Sequence, residues 1–561
     1  MKNEGRNLKK IEYIAATILA LVMLFISVSM LRFGVDVQDT SSYLTLYRYF
    51  FEKGTGGNSL YYMLGEFFGS LIYHTFPTLY ALNVAGLIVY LLVGILVYRI
   101  MKPYLSTLPL TLAVAGGLGF GVSWVRCVNW NSWSMLFLSL GILFLLHGFD
   151  TNEKRWLYFA GLVLGFNTYV RMPNLLFLGL VLAVAFFYIN DGWKLVISKC
   201  GKMAAGGMTA GIIGAVFGVL FLGHKTFWAD ISCLIGSLGD KESEHYMPEM
   251  FSKFFSGAID GVCQWVKYGI LIGAVIGLCI IIRKLWKKDV TVFGTITAIA
   301  LAMYIGLTRD VTYSSMPSLL SVQNFIAYGG MAFGLFGAIR FYKTDKRFAV
   351  LCIMEAMSMI FLTIGTNTGS IYFRVFMALP AAIIAAVLMK LPVKEFSIMA
   401  VFVLVLTFAT GANCNMNYVY HDGEYGEALD STINSPVFEG VYTTSSRAKY
   451  VNRLIELLTP YEEKELLTIG AFNIGHNVTD MKTFYNCAWT DLDYLEMHEF
   501  NGVLEKKLEA GNAPVVVVGT EKINGPYWAP HKVKIIEELV HTDLYECIYE
   551  DEWYSVHVPI N

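Results

Sequence analysis

Charge is scarce in this sequence: Asp, Glu, Lys and Arg make up 15% of its 561 residues, against about a quarter in an ordinary soluble domain. With 55% of the residues apolar, a soluble enzyme is excluded. Cysteine offers no disulfide framework, because the nine are odd in number and six of them, Cys127 to Cys352, lie in or beside apolar runs. There they read as small hydrophobes. Nucleotide signatures are lacking too: around the strand-like run at 514–519 there is no Gly-x-Gly-x-x-Gly and no P-loop, so nucleotide binding has no support. No internal repeat of the transporter kind is evident.

The net charge of −2 conceals a division. Residues 1–412 carry 32 Lys/Arg and 20 Asp/Glu, a balance of +12, whereas residues 413–561 carry 10 and 24, a balance of −14. The first part holds thirteen apolar stretches of about 18 to 23 residues, enough to cross about 30 Å of hydrocarbon as helix. They lie near 11–31, 78–100, 106–125, 132–149, 155–170, 172–190, 203–223, 267–283, 290–308, 320–340, 347–364, 371–389 and 394–412. The expected fold class is therefore a polytopic α-helical membrane protein with about thirteen transmembrane helices over residues 1–412.

Sidedness follows from Lys and Arg at the span ends, because cytoplasmic loops retain positive charge during insertion. Lys2, Arg6, Lys9 and Lys10 put the N-terminus inside, and alternation then puts the basic clusters at 99–102, 154–155, 194–202, 283–288, 340–347 and 390–394 inside as well. That makes 21 basic residues inside against 11 in the outer segments before residue 413. One span more or fewer in the middle would invert every later loop and destroy the agreement. The first apolar run, about 20 residues, exceeds the 7 to 15 of a signal peptide and reads as a retained span. Thirteen spans leave residues 413–561 outside a plasma membrane.

Three outer segments are long: 32–77, 224–266 and everything after 412. Within the first, residues 59–76 are apolar around nearly their whole face, with Glu66 as the one acid, and suit a helix lying in the interface. Residues 247–262 mix Phe and Met with Glu249, Lys253 and Asp260 at roughly helical spacing and fit either the same level or a segment packed on the bundle. The first segment also puts Asp36 and Asp39 just beyond span one. As alternatives to chemistry, Asp39 could cap a helix beginning at Thr40 and Asp36 could be a solvated loop residue.

Each of the four shorter outer connections brings an arginine: Arg126, Arg171, Arg309 and Arg374. On a face poor in positive charge each needs a partner, whether Asp36, Asp39, Asp310 or a lipid headgroup. Four converging guanidinium forks would suit a phosphate, whose oxygens they bind bidentately. A carboxylate and arginines at the outer surface match the needs of glycosyl transfer from a lipid-phosphate sugar. The acceptor hydroxyl needs a positioned base, and charge growing on the departing phosphate needs fixed cations. A lipid phosphate is already a weak base, so the acid that glycosidases supply to an alkoxide leaving group is not required.

At these residues the chain resembles the GT-C glycosyltransferases, the polytopic class that includes protein O-mannosyltransferases and lipid A aminoarabinose transferases. Many members carry Asp-Glu-x-x-Tyr in the first outer loop, where this sequence has Asp39-Thr40-Ser41-Ser42-Tyr43. The segment N-W-N-S-W-S at 129–134 and Arg171-Met172-Pro173 are similar as well. The resemblance implies an inside N-terminus, interfacial helices in the first loop, Asp39 as catalytic base with Asp36 as second choice, and Tyr43 at the substrate. Thr40 departs from the usual Glu, so no metal or second-acid role carries over to it. Metal-dependent members have a second acidic motif in a later outer loop; here residues 224–266 offer only Asp240-Lys241-Glu242. No cofactor is expected, and a divalent metal is not favoured.

His245 is a candidate acceptor contact, and Asn367 a candidate for lining the sugar site. Glu355 lies within an apolar span and is a functional hypothesis by its depth. In residues 413–561, helical spacing at 448–458 and 493–508 alternates with strand-like runs at 465–470 and 514–519, which predicts a small α/β domain. It is expected to position acceptor or partner. Asp491-Leu492-Asp493 has metal-like spacing but suits a helix start, and Cys487 and Cys547 either pair or remain free. The expected protein is thus a membrane glycosyltransferase of the cell envelope. It would move a hexose or pentose from a polyprenyl-phosphate donor to a surface glycan, lipid or protein, with no nucleic-acid partner. The rivals are a polysaccharide polymerase or ligase, a lipid-glycan flippase, and a scaffold presenting the outer domain.

Overall fold

The computed structural model describes residues 2–560 apart from 53–58, 240–245, 312–315, 367, 423–426, 486, 488 and 492–496. All thirteen apolar stretches are helical in whole or in part. Among the described residues, eleven helices are long and apolar enough to cross a membrane, or twelve if Gly369–Phe376 and Ala378–Lys390, bent by 77°, count as one span. The helix Lys154–Val170 has 17 residues and reaches only about 26 Å, short of a full crossing. The expected thirteen therefore become eleven or twelve full-length candidates and one short helix.

Lipid supplies no hydrophobic drive between helices, so close packing falls to small residues. The helices Thr107–Trp124 and Phe396–Asn417 meet backbone to backbone. A Cβ on Gly411 would lie 2.2 Å from the carbonyl oxygen of Gly116, and one on Gly119 would lie 2.4 Å from that of Gly411. At the end of the bundle holding the loops expected inside, basic residues meet acids from neighbouring loops. Arg283 pairs with Glu395 at 2.6 Å, Arg347 with Asp150 at 2.6 Å, Lys390 with Asp345 at 2.9 Å and Lys394 with Asp289 at 2.5 Å.

The first outer loop contains the helices Asp39–Tyr49 and Met63–Thr75, the second within the stretch expected to lie in the interface. Gly69 lets that helix settle on the Tyr47 ring, which a Cβ would approach to 2.4 Å. Tyr47 in turn donates its hydroxyl hydrogen to the Val128 carbonyl at 2.8 Å. The other expected interfacial helix does not exist as a separate element. Residues 247–262 are the first part of one helix, Met247–Trp286, of 40 residues and about 60 Å, with no breaker between its polar and apolar parts. Pro248 sits at its start, where a missing N–H costs nothing. Its first part packs on the bundle: the Tyr328 hydroxyl donates to the Phe254 carbonyl at 2.7 Å and Asn324 Nδ2 to Asp260 at 2.8 Å.

Beyond Asn417 the chain builds two small sheets. Strands β1 (Leu429–Ser431) and β2 (Thr443–Thr444) pair antiparallel. Strands β3 (Leu466–Ile469), β4 (Val515–Gly519), β5 (Tyr545–Glu550) and β6 (Tyr554–Pro559) form a sheet of order β3-β4-β6-β5, parallel between β3 and β4 and antiparallel elsewhere. The runs expected as strands at 465–470 and 514–519 are the parallel pair. The helix Ser445–Leu458 is capped by Thr444, whose hydroxyl accepts from the Arg447 amide, and Met497–Glu509 lies within one residue of the stretch expected helical at 493–508. Among the described residues no disulfide joins any of the cysteines, Cys487 and Cys547 included. One apolar core joins this part to the first outer loop: Val35, Val37, Tyr43, Leu44 and Tyr47 cluster with Val451, Leu454, Phe472, Val515 and Tyr554.

Gly411→Ala is expected to destabilise the protein by about 1–3 kcal/mol, because the added methyl meets backbone that cannot rotate away. The midpoint of thermal unfolding in detergent checks this, with Gly211→Ala, where nothing lies within 4 Å of a Cβ, expected to leave it unchanged.

Candidate active site

The segment between span one and the first-loop helix is built by hydrogen bonds to its own backbone. The Asp36 carboxylate accepts from the Gln38 amide at 2.9 Å and the Thr40 amide at 2.7 Å, so Asp36, not Asp39, satisfies the open donors at the helix start. Asp36 is buried and is no solvated loop residue. Asp39 is the first residue of the helix. Its Oδ2 accepts from the Tyr420 hydroxyl at 2.5 Å, and it keeps some accessible surface within walls of protein. Burial first, then the neighbouring Asp36 charge, pushes the Asp39 carboxyl up to about 7, against the Tyr420 hydrogen bond, which acts downward.

Residues 418–422, a short strap after the last span, lie over this segment. The Val35 amide donates to Asp422 at 2.7 Å and Arg447 Nη1 donates to the Val35 carbonyl at 2.5 Å. The outer domain adds two asparagines. Asn473 donates its amide to the Val37 carbonyl at 2.9 Å and its Nδ2 to Ser42 at 2.9 Å, and Asn477 Nδ2 donates to the Ser41 carbonyl at 2.7 Å. Arg48 reaches the Thr479 carbonyl at 2.8 Å and Asp480 at 2.5 Å. The outer domain therefore grips the loop that carries both acids. The sequence reading singled out none of these strap and domain residues. The one available signal was the run Tyr418-Val419-Tyr420-His421-Asp422 at the outer end of the last span.

Three of the four arginines are buried close to these groups. Arg126 lines a cleft with Asp36, Thr40, Asn83, Cys127 and Tyr420, and its guanidinium donates to the carbonyls of Phe33 at 3.2 Å and Tyr418 at 3.0 Å. Burial lowers it to about 10. Arg374 is fully buried, 4.8 Å from the Trp124 ring centre and 4.1 Å from that of Tyr418, and donates to Ser123 at 3.3 Å. Its Nε and Nη1 have no hydrogen-bond partner among the described residues. Arg171 lies 4.3 Å over the Tyr372 ring, two residues before Arg374, and donates to the Gly365 carbonyl at 3.3 Å. Arg126 and Arg374 thus meet at Tyr418, with Arg171 one neighbour further on. Arg309 is half-buried and donates to the Tyr268 hydroxyl at 3.0 Å.

Tyr43 is buried one turn after Asp39, edge-on to Trp130 at 4.3 Å, and Tyr62 stacks on the same indole at 3.9 Å. Glu66, expected at an interfacial surface, is buried, and its carboxyl is pushed up by that burial. Glu355 is fully buried against Gly330 and Gly334 of the helix Met316–Phe341, so close that a Cβ on either would meet its oxygens within 2.7 Å. His245, Asn367 and Asp240-Lys241-Glu242 lie outside the described residues. Of Asp491-Leu492-Asp493, the last two lie outside the described residues, and the Asp491 carboxylate accepts the amides of Gly470 at 3.1 Å and Ala471 at 3.0 Å. Among the described residues no group of three or more His, Cys, Asp or Glu side chains is gathered as a metal cage.

Residues 72–217 match the family model described as dolichyl-phosphate-mannose-protein mannosyltransferase, a stretch holding Arg126 and Arg171 but neither Asp36 nor Asp39. No curated protein matches the chain in sequence. Among solved structures, the oligosaccharyltransferase of Archaeoglobus fulgidus tethered with an acceptor peptide aligns with a TM-score of 0.50 at 13% identity, covering 98% of this chain and 74% of that one. ArnT of Cupriavidus metallidurans in the apo state aligns with a TM-score of 0.40 at 11% identity, covering 96% and 97%. The likeness to the oligosaccharyltransferase is one of fold: a polytopic helical membrane protein with a small C-terminal α/β part.

Asn473→Ala is expected to cost about 1–3 kcal/mol, because the Ser42 hydroxyl loses a buried partner. Hydrogen exchange localises the effect: amides of residues 36–45 should exchange faster, while those of the helix Phe396–Asn417 should not.

Proposed function

We propose that the protein is a glycosyltransferase that moves a sugar from a polyprenyl-phosphate donor to an acceptor hydroxyl on a surface glycan, lipid or protein at the outer face of the plasma membrane. Asp39 acts as general base. It takes the proton of the acceptor hydroxyl while that oxygen bonds to the anomeric carbon, and the bond from that carbon to the phosphate oxygen breaks with its electron pair leaving on the lipid phosphate. The buried cations Arg126, Arg171 and Arg374 provide fixed positive charge for the departing phosphate, where preorganised charge in a dry site is worth most. Arg309, further from Tyr418 in its contacts, would meet the donor at its edge. The aromatic group of Tyr43, Tyr62 and Trp130 offers a sugar-binding wall, and Asn367 and His245 are assigned to the sugar and acceptor sides.

The observation that carries this reading is the pairing of one accessible carboxylate with buried arginines around Tyr418 and Tyr420. Asp36 is consumed in holding the helix start, which leaves Asp39 as the acid available for proton transfer. The family match over residues 72–217 supports a polyprenyl-phosphate donor. The basic loops gathered at the opposite end from the outer domain support a cytoplasmic N-terminus and an extracytoplasmic C-terminal domain.

The test is transfer of labelled sugar from polyprenyl-phosphate donors by reconstituted protein. Asp39→Asn should lose about 10²- to 10⁴-fold in turnover while binding donor as the wild type does; wild-type turnover in this variant would overturn the assignment. Because the base works as carboxylate and its pKa is raised to about 7, kcat/KM should fall as pH drops through neutrality, not near the ordinary carboxylate range of about 4. Transfer is expected to persist in EDTA, since arginines carry the phosphate charge.

A further inference from the structure

We propose that Tyr420 is a positioning residue for the base: its hydroxyl, donating to Asp39 Oδ2 at 2.5 Å, holds Asp39 as a carboxylate and turns the other oxygen toward the acceptor. The proposal rests on the reading of Asp39 as base. No described residue donates to Asp39 Oδ1, so one carboxylate oxygen is tied and the other is open to a proton. The direction of the bond is fixed by chemistry. A phenol is a far weaker acid than a carboxyl group, and burial pushes the Tyr420 hydroxyl further up, so the proton stays on tyrosine and Asp39, when ionised, accepts.

Tyr420 can hold this position because both sides of it are fastened. Before it, the Tyr418 carbonyl accepts from Arg126 at 3.0 Å. After it, His421 adopts φ +49°, its carbonyl accepts from Arg447 at 2.5 Å, and the Asp422 carboxylate takes the Val35 amide and the Thr443 hydroxyl, each at 2.7 Å. The Tyr420 ring packs 5.4 Å from that of Trp124. The strap is thereby tied to the same backbone, Phe33 to Val35, that leads into Asp36 and Asp39.

The other ionisable groups facing Asp39 are Asp36, Tyr43, Tyr62 and Cys127, and Arg126 lines the adjoining cleft with Asp36 and Tyr420. Asp36 acts by repulsion and favours the neutral acid. Tyr420 is the group that donates to Asp39, so removing its hydroxyl should leave a base that is protonated at neutral pH.

The experiment is the pH profile of kcat/KM for reconstituted wild type, Tyr420→Phe and Asp39→Asn. Tyr420→Phe should move the acid limb up by about one pH unit, the effect of losing one hydrogen bond to a charged group. Its loss of about fivefold at pH 7, approaching about tenfold at lower pH, should recover as pH rises toward 9. An unmoved limb, or an equal loss at every pH, would overturn the proposal, the second outcome marking a merely structural residue. Should the phenylalanine variant fail to fold, 3-fluorotyrosine at position 420, a better donor of nearly the same shape, should move the limb down; no movement would overturn the proposal. Failure of the underlying reading is separate, since Asp39→Asn would then turn over at the wild-type rate whatever position 420 does.

Discussion

One apolar core joins the first outer loop to the outer domain, and the geometry around Asp39 depends on it. Val35 and Asp422 stand 387 positions apart in sequence, yet the amide of one donates to the carboxylate of the other. Around that bond Val37, Tyr43, Leu44 and Tyr47 pack with residues of the sheet and of the helix Ser445–Leu458. Apolar burial brings the two parts together, and the polar contacts of Asn473, Asn477, Arg447 and Arg48 fix their register. The C-terminal domain is therefore a wall of the candidate site.

This arrangement also explains how several charged groups are tolerated out of water. A buried charge is costly unless hydrogen-bonded or paired. Asp36 is offset by two backbone amides, Arg126 by backbone carbonyls, and Asp422 by Arg447, a backbone amide and a threonine hydroxyl. Arg374 is the exception, enclosed by two aromatic rings and one serine with part of its fork unused. Cation–π contact offsets some of the cost; an anionic ligand at this place would offset more.

The membrane part was legible because a span must be long and apolar, a constraint that length and composition reveal directly. The basic clusters meet at one end of the bundle, where they pair with acids of neighbouring loops. Asp39 and Tyr43 stood out through their spacing after span one. Which acid caps the helix was not legible, since Asp36 and Asp39 both lie near its start and only the path of the backbone separates a cap from a carboxylate turned elsewhere. Residues 247–262 misled for a related reason: an amphipathic helix reads alike whether it lies on lipid or on Tyr328. The strap at 418–422 escaped notice because its work is done by single hydrogen bonds to the distant Val35 amide and Asp39 carboxylate, which leave no periodic trace.

The long separation between the partners of this core also sets an order of assembly. A ribosome delivers Asp36 and Asp39 just after the first candidate span, but Tyr420, Arg447 and Asn473 only after the last of them. During that interval the loop lacks its wall, and the acids lack the contacts that orient them. A nascent chain therefore holds its early helices before it holds the finished cleft, and the contacts between these two distant parts of the chain form late.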